Sequence, residues 1–218
     1  KDPKDSGIGT GTAYWEETMM SYALRLNYSY KGKYMFTGTV RTDGSSKFLK
    51  DSRWGWFPSA ALAWRISEED FMKNISWIDN LKLRLSYGVT GNNTVCGHYN
   101  SVGVSGPNIY AFGSVVANGY YPSGVINADL KWEKSYETNF GIDYGFLNNR
   151  INGSIDLYSK TSKDLLYERY LPLVSGGGKL WDNVGEVQNR GIEFARNTVN
   201  IQTKDWYWTT SLNFARNI

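Results

Sequence analysis

The sequence predicts an all-β protein: an antiparallel transmembrane β-barrel wall of about eight strands. Three observations carry that expectation. The dominant hydrophobic period is two, the period of a strand whose side chains alternate between faces. Aromatics make up 16% of 218 residues, with 16 Tyr, 9 Trp and 9 Phe, while the mean hydropathy stays at −0.47. A water-soluble domain must hide so many rings in a large core. A membrane barrel wears them outside, in girdles where lipid meets water, and keeps its other face polar. Third, the connections between strands alternate between short and long, as turns and loops do on the two ends of a barrel.

Taken in order, residues 22–30 place Tyr22, Leu24, Leu26, Tyr28 and Tyr30 on one face and Ala23, Arg25, Asn27 and Ser29 on the other. Segments 34–41, 59–66 and 81–90 repeat the alternation, the last with Leu81, Leu83, Leu85, Tyr87 and Val89 against Lys82, Arg84, Ser86, Gly88 and Thr90. In 130–146, Leu130, Trp132, Tyr136, Phe140, Ile142, Tyr144 and Phe146 share one face, opposed by Lys131, Glu133, Ser135, Glu137, Asn139 and Asp143. Segments 151–160, 184–200 and 206–216 complete the set. The pattern in 184–200 is weaker, because Arg196 falls on the face of Ile192 and Phe194. An arginine is costly at mid-membrane, so it is expected near an interface, where the cost is about 0–1 kcal/mol.

The connections 31–33, 147–150 and 201–205 are short, and 42–53, 91–129 and 161–182 are long. Residues 67–80 are intermediate; Ser67 followed by Asp70 reads as a capping box, which predicts one or two helical turns over 67–74 on the periplasmic side. Asn148-Asn149 is a tight-turn dipeptide that tolerates positive φ. Asp43-Gly44, within "RTDGSSKF", reads as turn chemistry at a strand end in preference to a ligand contact at the barrel mouth, and Gly176-Gly177-Gly178 as a loop-tip spacer.

Several chemistries are excluded. No run approaches the roughly 20 apolar residues of a membrane helix. A net charge of +3 spread along the chain carries no nucleic-acid footprint. One Cys and one His, Cys96 and His98, neither form a disulfide framework nor supply the ligands of a metal site. Adjacent carboxylates such as Glu68-Glu69 point to opposite faces of an extended chain and do not flank one atom. The GIGTG run at 7–11 lacks a dinucleotide-fold context. The reading is of a non-enzyme without cofactor or metal.

Beyond this pattern, five ordered strings carry a specific resemblance: "RLNYSYKGKYMFTGTVRTDGSSKF" at 25–48, "WGWFPSAALAWRISEEDFM" at 54–72, "WIDNLKLRLSYGVTGNN" at 77–93, "LKWEKSYETNFGIDYGFLNNRINGSIDLYSKTSKDLL" at 130–166 and "NVGEVQNRGIEF" at 183–194. Together they resemble the SusC/RagA family of TonB-linked outer-membrane transporters, over nearly all of residues 20–217. The resemblance implies a 22-stranded barrel in the outer membrane of a Gram-negative bacterium, with a plug domain inside and a SusD-like surface lipoprotein as lid. It also implies import of oligosaccharides or oligopeptides, energised through the TonB complex acting on the plug. Residues 1–218 then read as part of the barrel domain alone, without plug or signal peptide and with both ends cut.

Substrate contact is expected in the outer loops, where barrels place recognition. The candidates are Tyr99, Tyr110, Phe112, Tyr120 and Tyr121 in the first long loop and Tyr167, Tyr170 and Trp181 in the second. Their rings offer apolar faces with polar edges to sugars or peptide side chains; the plainer reading is that they fold the loops or meet the lid. On the wetted face, Arg84, Lys131, Glu133 and Asp143 either line a path or keep the wall polar. Two other architectures fit parts of the pattern: an eight-strand barrel closed on itself, serving as anchor or adhesin, and a soluble β-sandwich carbohydrate-binding module that buries its aromatic faces between two sheets.

Overall fold

The computed structural model describes residues 16–94, 105–113, 115–122, 125–172, 174 and 178–218. Cys96, His98, Tyr99, the GIGTG run, Gly176 and Gly177 lie outside them. Eight long strands form one antiparallel sheet: β1 (Met19–Tyr30), β2 (Tyr34–Ser45), β3 (Trp54–Arg65), β4 (Ile78–Asn92), β7 (Glu133–Phe146), β8 (Ile151–Lys163), β11 (Glu186–Gln202) and β12 (Tyr207–Asn217). Each pairs with the strand before and after it in this series. Two hairpins, β5 (Ser105–Phe112) with β6 (Val115–Pro122) and β9 (Leu166–Tyr170) with β10 (Lys179–Asn183), stand in the two longest connections. Connections 46–53, 93–132 and 164–185 share one end of the sheet; 31–33, 66–77, 147–150 and 203–206 share the other, where 66–77 is longer than 46–53.

Register makes the alternation continuous across the sheet. Tyr28 pairs with Phe36, Phe36 with Leu62, Leu62 with Leu85, Leu85 with Phe140, Phe140 with Leu157 and Leu157 with Ile192. That row is apolar throughout and much of it is exposed, as are its neighbours Leu24 (76%) and Leu26 (62%). No second sheet covers this face among the described residues, and β1 does not pair with β12. Neither the β-sandwich nor the closed eight-strand barrel is therefore the observed architecture. Exposed aromatics border the aliphatic band: Tyr22, Trp54 and Trp56 toward the loop end, and Tyr30, Tyr34, Trp64, Trp77 and Trp208 toward the turn end. This is the girdle arrangement of a membrane strand set.

Glycines let side chains cross from one strand to the next but one. Arg84 on β4 lies opposite Gly141, which lies opposite Asp156. Its guanidinium passes over the glycine to donate Nη2 to Asp156 at 2.9 Å and Nε to Asp143 at 3.0 Å. A Cβ at Gly141 would lie 2.6 Å from the Asp156 carboxylate. Tyr144, opposite Gly153, likewise reaches β11, donating its hydroxyl to the Ala195 carbonyl at 3.3 Å. Tyr158, opposite Gly191, donates to Asn217 of β12. Trp54 covers Gly44 and stacks on Tyr22 at 6.0 Å. Aromatic cover of strand glycines is a known device for pinning register.

The turn end follows the sequence reading with one correction. Leu147, Asn148 and Asn149 have φ of 56, 58 and 58°, and Lys31-Gly32 has 50 and 65°, the left-handed region that tight turns require. Two 3-10 turns, Ile66–Glu68 and Asp70–Met72, occupy the intermediate connection, but neither carries a side-chain cap, so the Ser67/Asp70 capping box does not form. The reason lies in Glu69, which stays extended between them. Its carboxylate accepts Lys33 Nζ at 3.0 Å, Tyr34 hydroxyl at 2.7 Å and Trp64 Nε1 at 3.0 Å. Asp43-Gly44 is a second correction: β2 continues through both to Ser45. Asp43 and Gly44 pair with Ser21 and Met20 of β1 and with Gly55 and Trp54 of β3, so the turn begins only after Ser45; Asp43 is buried and takes Arg41 Nε at 2.8 Å.

Two expected outcomes follow for the full-length protein. A Cβ at Gly153 would lie 2.0 Å from the Ala195 carbonyl, whereas at Gly88 it would meet Ser59 at an ordinary 3.4 Å. Gly153→Val lowers barrel stability by about 1–3 kcal/mol, read as loss of heat resistance in detergent, while Gly88→Ala leaves it unchanged. Second, the hydrogen bonds from Tyr34, Trp64 and Lys33 hold the Glu69 carboxyl below its ordinary range. A depressed carboxylate stabilises the fold above its unfolded value, and that contribution disappears as pH falls through the lowered one. The difference in thermal midpoint between wild type and Glu69→Gln is expected at about pH 6 and shrinks as pH falls below the ordinary glutamate range; an unchanging difference contradicts the clamp.

Candidate functional site

At the loop end the polar side of the sheet closes over a small buried cluster: Phe48, Phe57, Val89, Leu130, Trp132 and Leu166. Leu130 and Trp132 precede β7 and are only 0% and 3% exposed. They therefore leave the exposed apolar row on which the alternation from 130 to 146 places them. Trp132 tilts on Phe48 at 5.3 Å, meets Phe57 edge-on at 5.4 Å and donates Nε1 to the Arg53 carbonyl at 3.1 Å. A Cβ at Gly91 would lie 2.1 Å from the Phe57 ring, so the cluster needs glycine there. Beside it lies a cavity of about 400 Å³ with Trp132 and Phe57 on its apolar side and Arg41, Asp43, Asn92 and Thr90 among its polar lining.

The second long connection is tied to this cluster at its base. Glu133 accepts Leu166 N at 3.2 Å and Asn92 Nδ2 at 3.3 Å. Asn183 accepts Lys131 N and donates to the carbonyls of Lys131 and Asp164, all at 2.9 Å. Asn127 donates to the Trp181 carbonyl and to Asp182. Lys131 pairs with Asp164 at 3.1 Å. Lys131 and Glu133 thus hold a loop, whereas Arg84 and Asp143 remain on the wetted face of the wall with Asp156 and Lys82.

The candidate contact residues divide accordingly. Trp181 packs against the buried cluster. Tyr167 and Tyr170 lie on opposite faces of β9, and Tyr170 is 73% exposed with Lys179 Nζ 5.3 Å over its ring. Glu168 accepts Lys179 at 2.7 Å and holds that ammonium above its usual range. On the first hairpin, Tyr110 and Phe112 lie 5.9 Å apart on one face, and Tyr120 is 78% exposed on the other. Tyr121 belongs to β6, and its side chain, like all of Tyr99, lies outside the described residues. The candidates therefore form two separate exposed sets, not one constellation. Sequence reasoning missed Asn183, Glu133 as a loop anchor, and the cavity beside Trp132, because each depends on partners far along the chain. Among the described residues no group of three or more His, Cys, Asp or Glu lies together to hold a metal.

A one-sheet wall with an exposed apolar face, aromatic girdles and loops gathered at one end defines an outer-membrane β-barrel protein. The chain matches the family model described as TonB dependent receptor-like, beta-barrel, over residues 2–217. It is 40% identical to the TonB-dependent receptor SusC of Bacteroides thetaiotaomicron over all of this chain and 22% of that protein. It is 41% identical to the TonB-dependent receptor P39 of Formosa agariphila over 95% of this chain and 20% of that one. The structure of the RagAB peptide importer in the open-open state superposes with a TM-score of 0.83 at 32% identity, covering 96% of this chain and 23% of the other. The chain belongs to the TonB-dependent receptor β-barrel family, in its SusC/RagA branch, and is an outer-membrane protein of a Gram-negative bacterium. It spans about a fifth of the length of the curated relatives it matches.

Trp132→Ala is expected to remove about 3–5 kcal/mol of local packing and to expose the loop bases. Hydrogen exchange on the full-length protein should show faster exchange in 46–53 and in the β9–β10 hairpin, with β8 protection unchanged; unaltered loops would refute the cluster's role.

Proposed function

We propose that residues 1–218 lie wholly within the barrel domain of a TonB-dependent active transporter importing oligosaccharides or oligopeptides. In this reading the wall works with a plug energised through the TonB complex, with a SusD-like surface lipoprotein, and with no bond chemistry or cofactor of its own. The observation that carries it is the two-sided sheet: one face carries an apolar row from β1 to β11, and the other is polar and bears the Arg84–Asp143–Asp156 group. A wetted face that holds small residues and mutually paired charges suits a broad lumen better than a packed interior. Likeness to SusC and to the RagAB peptide importer supports the same reading.

Recognition falls to the loop end, where Tyr110, Phe112, Tyr120, Tyr167 and Tyr170 hold exposed rings; Tyr99, Tyr121 and Trp181 belong to the same two loops. Exposed aromatics bind by stacking or packing worth roughly 0.5–1.5 kcal/mol each. Replacing Tyr167 and Tyr170 together by Ala in the full-length transporter is expected to weaken oligosaccharide or oligopeptide binding by about tenfold, measured by calorimetry. Uptake should also stop when a protonophore removes the proton gradient. Binding unchanged in this variant and in the matching Tyr110/Phe112 pair excludes the loop aromatics as contacts; uptake indifferent to the gradient excludes active transport.

A further inference from the structure

Arg196 stands on the lipid-facing side of the wall. It shares its face with Ile192 and Phe194 and pairs with Gly153 on one side and Leu212 on the other. The register pair Thr198–Ile151 is the last between β11 and β8 before the turn end. Arg196 therefore sits one alternation above it, about 7 Å along the strand. That depth is the boundary between acyl chains and head groups, where a long cationic side chain extends toward the polar layer. Neither Arg196 nor Arg150 pairs with a carboxylate among the described residues. Arg150 at the neighbouring turn spends Nε and Nη2 on the Val199 and Asn200 carbonyls, at 3.0 to 3.3 Å. Nearby Asp79 accepts the Asn149 backbone N–H at 2.9 Å.

These two guanidinium groups line one groove of about 540 Å³, together with Trp77, Leu147, Asn148 and Thr198. Trp77 and Leu147 are half exposed and give the groove an apolar side, and the amide and hydroxyl give it hydrogen-bonding groups. Arg196 on the lipid side of the wall and Arg150 at the adjoining turn, both without a carboxylate partner among the described residues and beside a half-exposed tryptophan, match an amphiphilic anion. We propose that this groove seats the phosphodiester head group of a phospholipid from the periplasmic leaflet, held by Arg196 and Arg150, with its acyl chains against Trp77 and Leu147. A guanidinium fork meets phosphate oxygens in pairs, a geometry that an ammonium does not reproduce. The inference rests on which face meets lipid, and stands apart from what the barrel transports.

The test uses the full-length protein purified in detergent, with native mass spectrometry reading the lipid retained. The probes are phosphatidylglycerol and a diacylglycerol of the same chains. Wild type is expected to retain phosphatidylglycerol over diacylglycerol, and Arg196→Gln to lower that retention about tenfold. Lys204→Gln, in the 203–206 turn at the same end but outside the groove, is expected to change nothing. Should Arg196→Gln fail to assemble, Arg196→Lys keeps the charge without the fork and is expected to lose retention several-fold. Retention equal in wild type and the Arg196 variants overturns the site. Equal retention of both probes reduces it to an acyl contact and overturns the head-group assignment. An equal loss in Lys204→Gln assigns the effect to diffuse charge, and displacement of the lipid by inorganic phosphate alone assigns the groove to a soluble anion; both overturn the proposal.

Discussion

In hydrocarbon there is no water to satisfy a backbone N–H or carbonyl, so every such group must find its partner within the protein. The rest of this structure follows from that constraint. It selects a continuous antiparallel ladder of the eight wall strands, from β1 to β12 without the two hairpins, in which each inner strand is bonded on both sides. It also explains why irregular backbone is gathered at the two ends, in the turns and in the hairpin-bearing loops. With the backbone saturated, the side chains are free to answer two different solvents: leucines and aromatic rings for lipid, and threonines, serines, small residues and paired charges for water.

The glycines add a second layer of cohesion. A strand side chain normally meets only its immediate neighbours. Where Gly141, Gly153 and Gly191 leave out a Cβ, Arg84, Tyr144 and Tyr158 reach the strand beyond and tie three strands at once. One crossing is ionic and lies on the wetted face; another uses a tyrosine hydroxyl on the lipid face to satisfy a carbonyl. Glycine would weaken an isolated strand. Here its cost is offset by a longer contact, and each such contact penalises a register slip because the glycine would no longer lie under its cover.

At the loop end the logic is that of a soluble core in miniature. Trp132 and Leu130 share the alternation of the wall but are drawn into the Phe48–Phe57 cluster, because the loops that cover them supply apolar partners and a carbonyl for the indole. The same cluster receives Trp181 and Leu166, so the base of the second hairpin is held while Tyr170 projects into solvent. Exposed rings thus stand on a packed footing, and Glu133 and Asn183 fasten that footing by hydrogen bonds.

The periodicity of the sequence determined the eight wall strands and their faces, because each depends only on residues two apart or adjacent. Asn148-Asn149 was legible for the same reason, as a local φ requirement. Tertiary structure alone decided that Asp43 and Gly44 extend a strand, since the decisive partners are Ser21 and Met20 on β1 and Gly55 and Trp54 on β3. It alone decided that Glu69 breaks a helix by bonding two neighbouring strands, and that Trp132 turns inward. The aromatic candidates were legible as residue types in loops, but their division between two hairpins was not. Loop-end contacts join positions such as 53 with 132 and 131 with 183, and no pattern of adjacent residues encodes which distant partner a side chain will meet.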